Sequence, residues 1–455
     1  MINTKKEFAP YGQWSSRITP EMTGSLLEIS QPAWSADGTL FWWERFSTKA
    51  SINSRNPETG EIVSLTGDHQ PGGELMYGGG AFGLSNNALY FIDKITHQLF
   101  RTNLLEASST PLTSTLINAG SPTLSPKGDF VIFVHSNGES DGIFIQVLDS
   151  QQGPSPLVTR SDFFNYPRWH PDGRQITWIS WDHPHMPWDS SSLWLGSIEI
   201  NQGEKPRLVD KTLIAGGAGI AVLQPEFSPD GRYLAYISDQ DGWWQLYLVD
   251  LSTGNHQQLT NVPCEHGLPP WLQNQKSYGF SPDGDRIYFL RNQEGFRSLW
   301  CLDLKKGTEN QIQLDENYSW LDELVVSPRE DKIALVASSG DSPPRLITIL
   351  PDGKTELIRL SSTDPLPCNI FSLPRAISWK SDGEHKIQGL FYAPENPCFV
   401  GTGKPPLLVN IHSGPTRQKW AEFQPRTQYF TSRGFAVLEV NYRGSSGYGR
   451  DYRQA

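Results

Sequence analysis

Gly138-Glu139-Ser140-Asp141-Gly142 carries the letters of the Gly-x-Ser-x-Gly elbow, in which a strained strand-to-helix turn exposes a nucleophilic serine for acyl transfer. The run leading on from it, Gly142-Ile143-Phe144-Ile145-Gln146-Val147, has strand character, so Ser140 is read as part of a hairpin turn and not as a nucleophile. A second candidate is His412-Ser413-Gly414-Pro415, placed directly after the apolar run Leu407-Leu408-Val409-Asn410-Ile411. Acyl transfer needs preorganised donors for the tetrahedral oxyanion, and a backbone N–H in a loop after a buried strand is one way to supply one. The alternative is a plain turn into a helix with Pro415 in its first turn. His412 is expected to be a satisfied structural histidine. His183 and His185 lack a third ligand at sensible spacing, so no metal is expected. The four cysteines, Cys264, Cys301, Cys368 and Cys398, form no Cys-x-x-Cys pair. No cofactor motif is present, and none is expected.

Such groups need a scaffold, and a repeat supplies it. Ser-Pro-Asp-Gly is complete at Ser228–Gly231 and Ser281–Gly284, and one residue off at Ser35–Gly38, Ser125–Gly128 and His170–Gly173. Degenerate copies sit at Ser85-Asn86-Asn87 and Ser327-Pro328-Arg329. Proline presets φ at the second turn position, and Asp and Gly suit the positions after it. Each phrase leads into strands with period-two patterning, such as Tyr233-Leu234-Ala235-Tyr236-Ile237 and Gln245-Leu246-Tyr247-Leu248-Val249. Seven copies, spaced about 40 to 60 residues apart, match four-stranded propeller blades. The 41 glycines and 34 prolines, with 11% aromatic residues, agree with short strands and tight turns and argue against a helical bundle.

The pattern stops near Leu373. Lys386–Ala393 reads as a strand, and Leu407–His412 as a buried parallel strand. Thr427–Arg433 reads as the end of a helix closed by Gly434, and Phe435–Asn441 as another buried strand. The expected fold is therefore an all-β seven-bladed β-propeller followed by the incomplete start of an α/β domain. The expected domains are an N-terminal segment at 1–30, the propeller at 31–373 and the α/β part at 374–455. With 38 basic against 49 acidic residues the net charge is −11, which argues against nucleic acid and anionic membranes as partners. No leader or membrane-spanning run is visible, and four isolated thiols suit a reducing compartment, so a cytoplasmic protein is expected.

His412–Pro415, together with Asn441-Tyr442-Arg443-Gly444-Ser445-Ser446-Gly447-Tyr448-Gly449, resembles the start of the α/β-hydrolase domain of prolyl oligopeptidase-type serine peptidases. The resemblance is strongest to the acylaminoacyl-peptidase and dipeptidyl aminopeptidase-like branch. Pro10–Thr19 resembles that branch's N-terminal segment, and Trp181–Asp189 its mid-propeller loop. The resemblance implies hydrolysis of short peptides by a Ser-His-Asp triad, with the propeller restricting access. It assigns an oxyanion-hole backbone N–H to Gly414, in a loop with His412, Ser413 and Pro415. The family usually has Gly where Ser413 stands. Asn441, Tyr442, Arg443 and Gly444 become an active-site loop, with Arg443 expected to bridge to a carboxylate. Trp181, Asp182, Trp188 and Asp189 are either a packed loop or a gate at the substrate entrance. No elbow comes after Gly414, so the triad is expected beyond Ala455 and the chain alone is expected to be inactive. Two alternatives stand: a non-catalytic propeller scaffold for protein binding, and an esterase on the same fold. A homo-oligomer stays open.

Overall fold

Each Ser-Pro-Asp-Gly phrase closes on itself and then hands the chain to a strand. In the computed structural model of the chain, Ser228 Oγ donates to Asp230 Oδ1 at 2.6 Å and accepts the Tyr233 N–H at 2.9 Å. The Ser281 copy repeats both contacts, with Asp283 at 2.5 Å and Arg286 N–H at 2.9 Å. Both serines are buried and fully used. The structure describes all residues except 1–5, 25, 57–58, 86, 117, 151, 202–203, 363–369, 382–385 and 415. Asn86 of one degenerate phrase thus lies outside the described residues.

Among the described residues, seven antiparallel sheets of four strands succeed one another, with strand order equal to chain order in each. They span 28–64, 82–111, 119–158, 163–216, 222–258, 278–311 and 320–360 and are blades 1 to 7 of a propeller. The first strands of neighbouring blades pack against each other, which puts them at the centre of the ring. The ring closes through side chains. Ile29, Leu40 and Trp42 of blade 1 bury against Val325, Ala334 and Leu346 of blade 7, beside an Arg359–Glu44 ion pair at 3.0 Å.

A second repeat sits inside the ring. In blades 1, 3, 4, 5 and 7 the innermost strand slips register, between Ser30/Ala33, Gly120/Thr123, Asn165/Arg168, Leu223/Glu226 and Asp322/Val325. Each slip holds a residue with positive φ: Gln31, Ser121, Tyr166, Gln224 and Glu323. In four of them proline comes next, at Pro32, Pro122, Pro167 and Pro225. A bulge unpairs one residue and re-aims its neighbours. Gln31, Pro32, Pro122, Arg168 and Glu323 accordingly line a cavity of about 230 Å³ in the central channel.

The C-terminal part forms a mixed sheet of β1 (Pro374–Lys380), β2 (Lys386–Tyr392), β3 (Leu407–Ile411) and β4 (Ala436–Asn441), in the order β1-β2-β4-β3. Strand β3 is joined to its parallel neighbour β4 through helix α1 (Pro425–Thr431), a β-α-β unit; helix α2 (Arg450–Gln454) comes last. One expectation is corrected here. β3 is parallel but not buried; it is the sheet edge among the described residues, and Leu407, Val409 and Ile411 are 50%, 55% and 63% exposed. An apolar run shows that a strand suits a core, but burial depends on which elements cover its faces. β4, flanked on both sides, does bury Ala436, Val437 and Val440.

The N-terminal residues lie against this sheet: Glu7–Phe8 pairs with Phe399–Val400, and Arg433 donates to the Ile18 carbonyl at 2.9 Å. The propeller is pinned to α2 by a buried cluster. Asp239 accepts hydrogen bonds from Arg450 Nε at 3.0 Å and Arg453 Nη2 at 2.7 Å, and Glu265 accepts the Gly449 N–H at 3.0 Å.

Candidate active site

Gly414 sits three residues past β3 with φ +69°, in the left-handed region that favours glycine. Among the described residues its N–H has no acceptor. A Cβ at this position would meet no atom within 4 Å, so Gly414→Ala should cost only the backbone strain, about 1 kcal/mol in urea denaturation. Pro415 of the same loop lies outside the described residues.

The loop is held by the segment after β4. The Tyr442 hydroxyl donates to the Gly414 carbonyl at 2.7 Å, and its ring stacks on His412 with centroids 4.5 Å apart. Thr416 N–H donates to the Gly444 carbonyl at 2.7 Å, and Ser446 Oγ to the Thr416 carbonyl at 2.8 Å. Asn441, fully buried, accepts the Lys419 N–H at 2.6 Å and donates back to the Lys419 carbonyl at 3.1 Å. His412 Nε2 and Ser445 Oγ share a 2.7 Å hydrogen bond, and burial pushes the imidazole below its usual range. This Ser–His pair cannot attack a substrate, because Ser445 is 0% exposed. Arg443 is exposed and makes no ion pair among the described residues. The carboxylate bridge expected of it is made by Arg450 and Arg453, which face the propeller where Arg443 faces solvent.

A cavity of about 710 Å³ opens beside this loop. Its far wall is the propeller segment Leu268–Gln275, which leaves the ring between blades 5 and 6 and crosses the channel to blades 2 to 4. Gln273 N–H donates to the Gly78 carbonyl at 2.8 Å, its side chain reaches the Phe164 carbonyl at 2.9 Å, and Ser121 Oγ reaches Gln273 Oε1 at 3.1 Å. Trp271, Leu272 and Gln275 face the large cavity, while Asn274 and Lys276 face the channel cavity beyond. Tyr77 and Trp420 add aromatic wall, and Glu422 adds a carboxylate that burial pushes up to about 7.

Of the gate candidates, Trp188 stands behind the cavity wall, its ring 4.3 Å from that of Trp271. Trp181 is buried and stacks on Phe163 at 5.4 Å. Exposed Asp182 accepts the Asp162 N–H at 2.8 Å, and Asp189 N–H donates to the Met186 carbonyl at 2.9 Å. Ser140 lies on the blade 3 hairpin, its N–H held by Asn137 Oδ1 at 3.0 Å. Among the described residues no three His, Cys, Asp or Glu side chains form a metal-binding group, and no helix is long and apolar enough to cross a membrane. Sequence reasoning missed Glu422, Trp271, Trp420 and Tyr77. The one available signal was the aromatic-acid string Trp420-Ala421-Glu422-Phe423 just after the loop motif.

Comparison with known proteins agrees with this layout. A model described as the TolB beta propeller domain matches residues 155–368, and the model of the prolyl oligopeptidase family matches residues 421–455. The chain is similar to proteins of the prolyl oligopeptidase family. It is 23% identical over 335 residues to dipeptidyl-peptidase 5 of Porphyromonas gingivalis, covering 69% of this chain and 45% of that protein. It is 26% identical to the acylamino-acid-releasing enzyme of Arabidopsis thaliana, covering 51% of this chain and 35% of that one. A solved puromycin-hydrolyzing peptidase of Mycobacterium tuberculosis superposes with a TM-score of 0.88 at 25% identity, covering 99% of this chain and 71% of its own. A second structure, a puromycin hydrolase, gives 0.87 at 26% identity, with 98% and 71% covered. The chain thus spans less than half of these two curated relatives and under three quarters of the two solved structures.

Proposed function

We propose that the 710 Å³ cavity is the substrate side of a serine-type peptidase site acting on short peptides, of the acylaminoacyl-peptidase or dipeptidyl aminopeptidase-like kind. The observation that carries this reading is Gly414, a left-handed glycine at the end of a parallel strand, beside the cavity, with its N–H unengaged among the described residues. In this reading that N–H is one donor of an oxyanion hole, and loss of such a donor typically costs about 10²–10³ in rate. His412 and Ser413 shape the loop, while Asn441, Tyr442 and Gly444 position it. The propeller restricts access, because Leu268–Gln275 stands across its channel. We further read residues 31–373 as the propeller unit and 374–455 as the beginning of the hydrolase unit. The acidic net charge fits a cytoplasmic protein whose partner is a peptide and neither nucleic acid nor membrane.

The 455 residues do not themselves carry a nucleophile in this reading, since the Ser–His pair beside the cavity is the buried Ser445–His412. Treatment of the chain with a fluorophosphonate probe should therefore give no covalent adduct by intact mass. Peptide nitroanilides should be turned over no faster than in buffer. A stoichiometric adduct would overturn the assignment.

A further inference from the structure

Lys276 stands at the seam of two cavities in the propeller channel, of about 230 Å³ and about 440 Å³, whose walls share Ala33, Trp34, Arg168 and Lys276. It is half-buried and has no hydrogen bond or ion pair among the described residues. Three charged groups act on it, Arg168, Glu226 and Glu323, and each is otherwise engaged. Arg168 Nε pairs with Glu226 Oε1 at 3.0 Å, and its Nη2 donates to the Asn274 amide oxygen. Glu323 accepts the Gln31 N–H, and burial first, then Asp322, push its carboxyl up to about 8, so near neutrality it is mostly the uncharged acid. Burial first, and the like charge of Arg168 second, hold Lys276 below the usual lysine range. An ammonium held this way lacks a counter-ion, and an anion brought to it relieves the cost of its burial. The larger cavity adds the half-buried rings of Trp34, Phe227 and Phe280, and neither wall contains a histidine or a cysteine. Such a wall suits the binding of an anion with an apolar body and offers no base for bond cleavage.

We infer that the propeller channel holds a binding site for a small organic carboxylate, its charged end on Lys276 Nζ and its apolar body against Trp34, Phe227 and Phe280. The site lies on the other side of Leu268–Gln275 from the Gly414 cavity and stands apart from the peptidase reading. Inorganic phosphate shares the anionic chemistry but not the apolar body, and the ligands of the test separate the two.

Calorimetric titration of the 455-residue chain with phenylacetate, phenylacetamide and inorganic phosphate tests the inference. Phenylacetate should bind about tenfold or more tightly than either of the others, as expected when a charge-assisted hydrogen bond and an apolar contact are gained together. Lys276→Met should erase that preference, and its urea midpoint should not fall, because no partner inside the protein is lost. Lys276→Gln should behave alike. Arg417→Ala, which removes a cation from the Gly414 cavity, should keep the preference. Phosphate binding as tightly as phenylacetate overturns the organic ligand. An unchanged preference in both Lys276 variants, a lost preference in Arg417→Ala, a lowered urea midpoint in both Lys276 variants, or no binding of phenylacetate overturns the site. Each of these outcomes leaves the Gly414 assignment standing.

Discussion

Replacing Asp239 by alanine is expected to cost about 4 kcal/mol of stability in urea denaturation, the range for stranding buried charges. Asp239 is 1% exposed and serves two separate segments at once. It accepts from Arg450 and Arg453 of α2 and, at 2.7 Å, from the Ala221 N–H just before blade 5. Without it two guanidinium groups lose the carboxylate they pair with, while Arg453 keeps the Trp188 carbonyl at 3.0 Å. Arg450→Ala should cost roughly half as much, because Arg453 still neutralises the carboxylate. Hydrogen exchange should localise the effect: amides 442–454 should lose protection in Asp239→Ala, and blades 1 and 2 should not. A loss below about 1 kcal/mol would show that the cluster does not hold the two parts together.

Gly79→Ala is expected to cost about 3 kcal/mol and to disturb the cavity without touching it. Gly79 has φ +83° and pairs with Gln273 of the channel-crossing segment. A Cβ there would lie 2.3 Å from the Gln273 carbonyl oxygen and 2.9 Å from its nitrogen, so backbone must move. Strain of about 1–2 kcal/mol adds to an overpacking cost of about 1–3 kcal/mol. Gly414→Ala carries comparable strain but no clash, and is the control. Because Trp271 moves with the segment, the near-ultraviolet dichroism of Gly79→Ala should change, whereas distant Trp42 stays buried. A Gly79→Ala protein as stable as Gly414→Ala would mean that the segment yields easily.

The blades were legible because their signals are local. Ser228 bonds to Asp230 and Tyr233, all within six residues, so one phrase contains its own turn and the strand after it. The strand-helix-strand order after 400 was legible for the same reason, through the apolar run at 407–411 and the stop at Gly434. The inner bulges were readable in principle, since a residue preceding proline recurs at Gln31, Ser121, Tyr166 and Gln224, but proline alone does not announce positive φ in the residue before it. Arg443 was misjudged because a guanidinium at the end of a loop motif says nothing of what stands opposite.

The order of the strands, seven repeats of one turn and the place of a glycine loop after a parallel strand were determined by the sequence alone, because each depends on contacts between near neighbours. Tertiary structure decided what the loop faces. The wall of Leu268–Gln275, the tilted packing of Trp188 against Trp271 and the exposure of one face of β3 all depend on residues far apart in the chain. The Gln273–Ser121 contact, for instance, spans 152 positions. Periodicity carries no record of such meetings, since they arise from how blades close into a ring and which polar groups that closure leaves to pair.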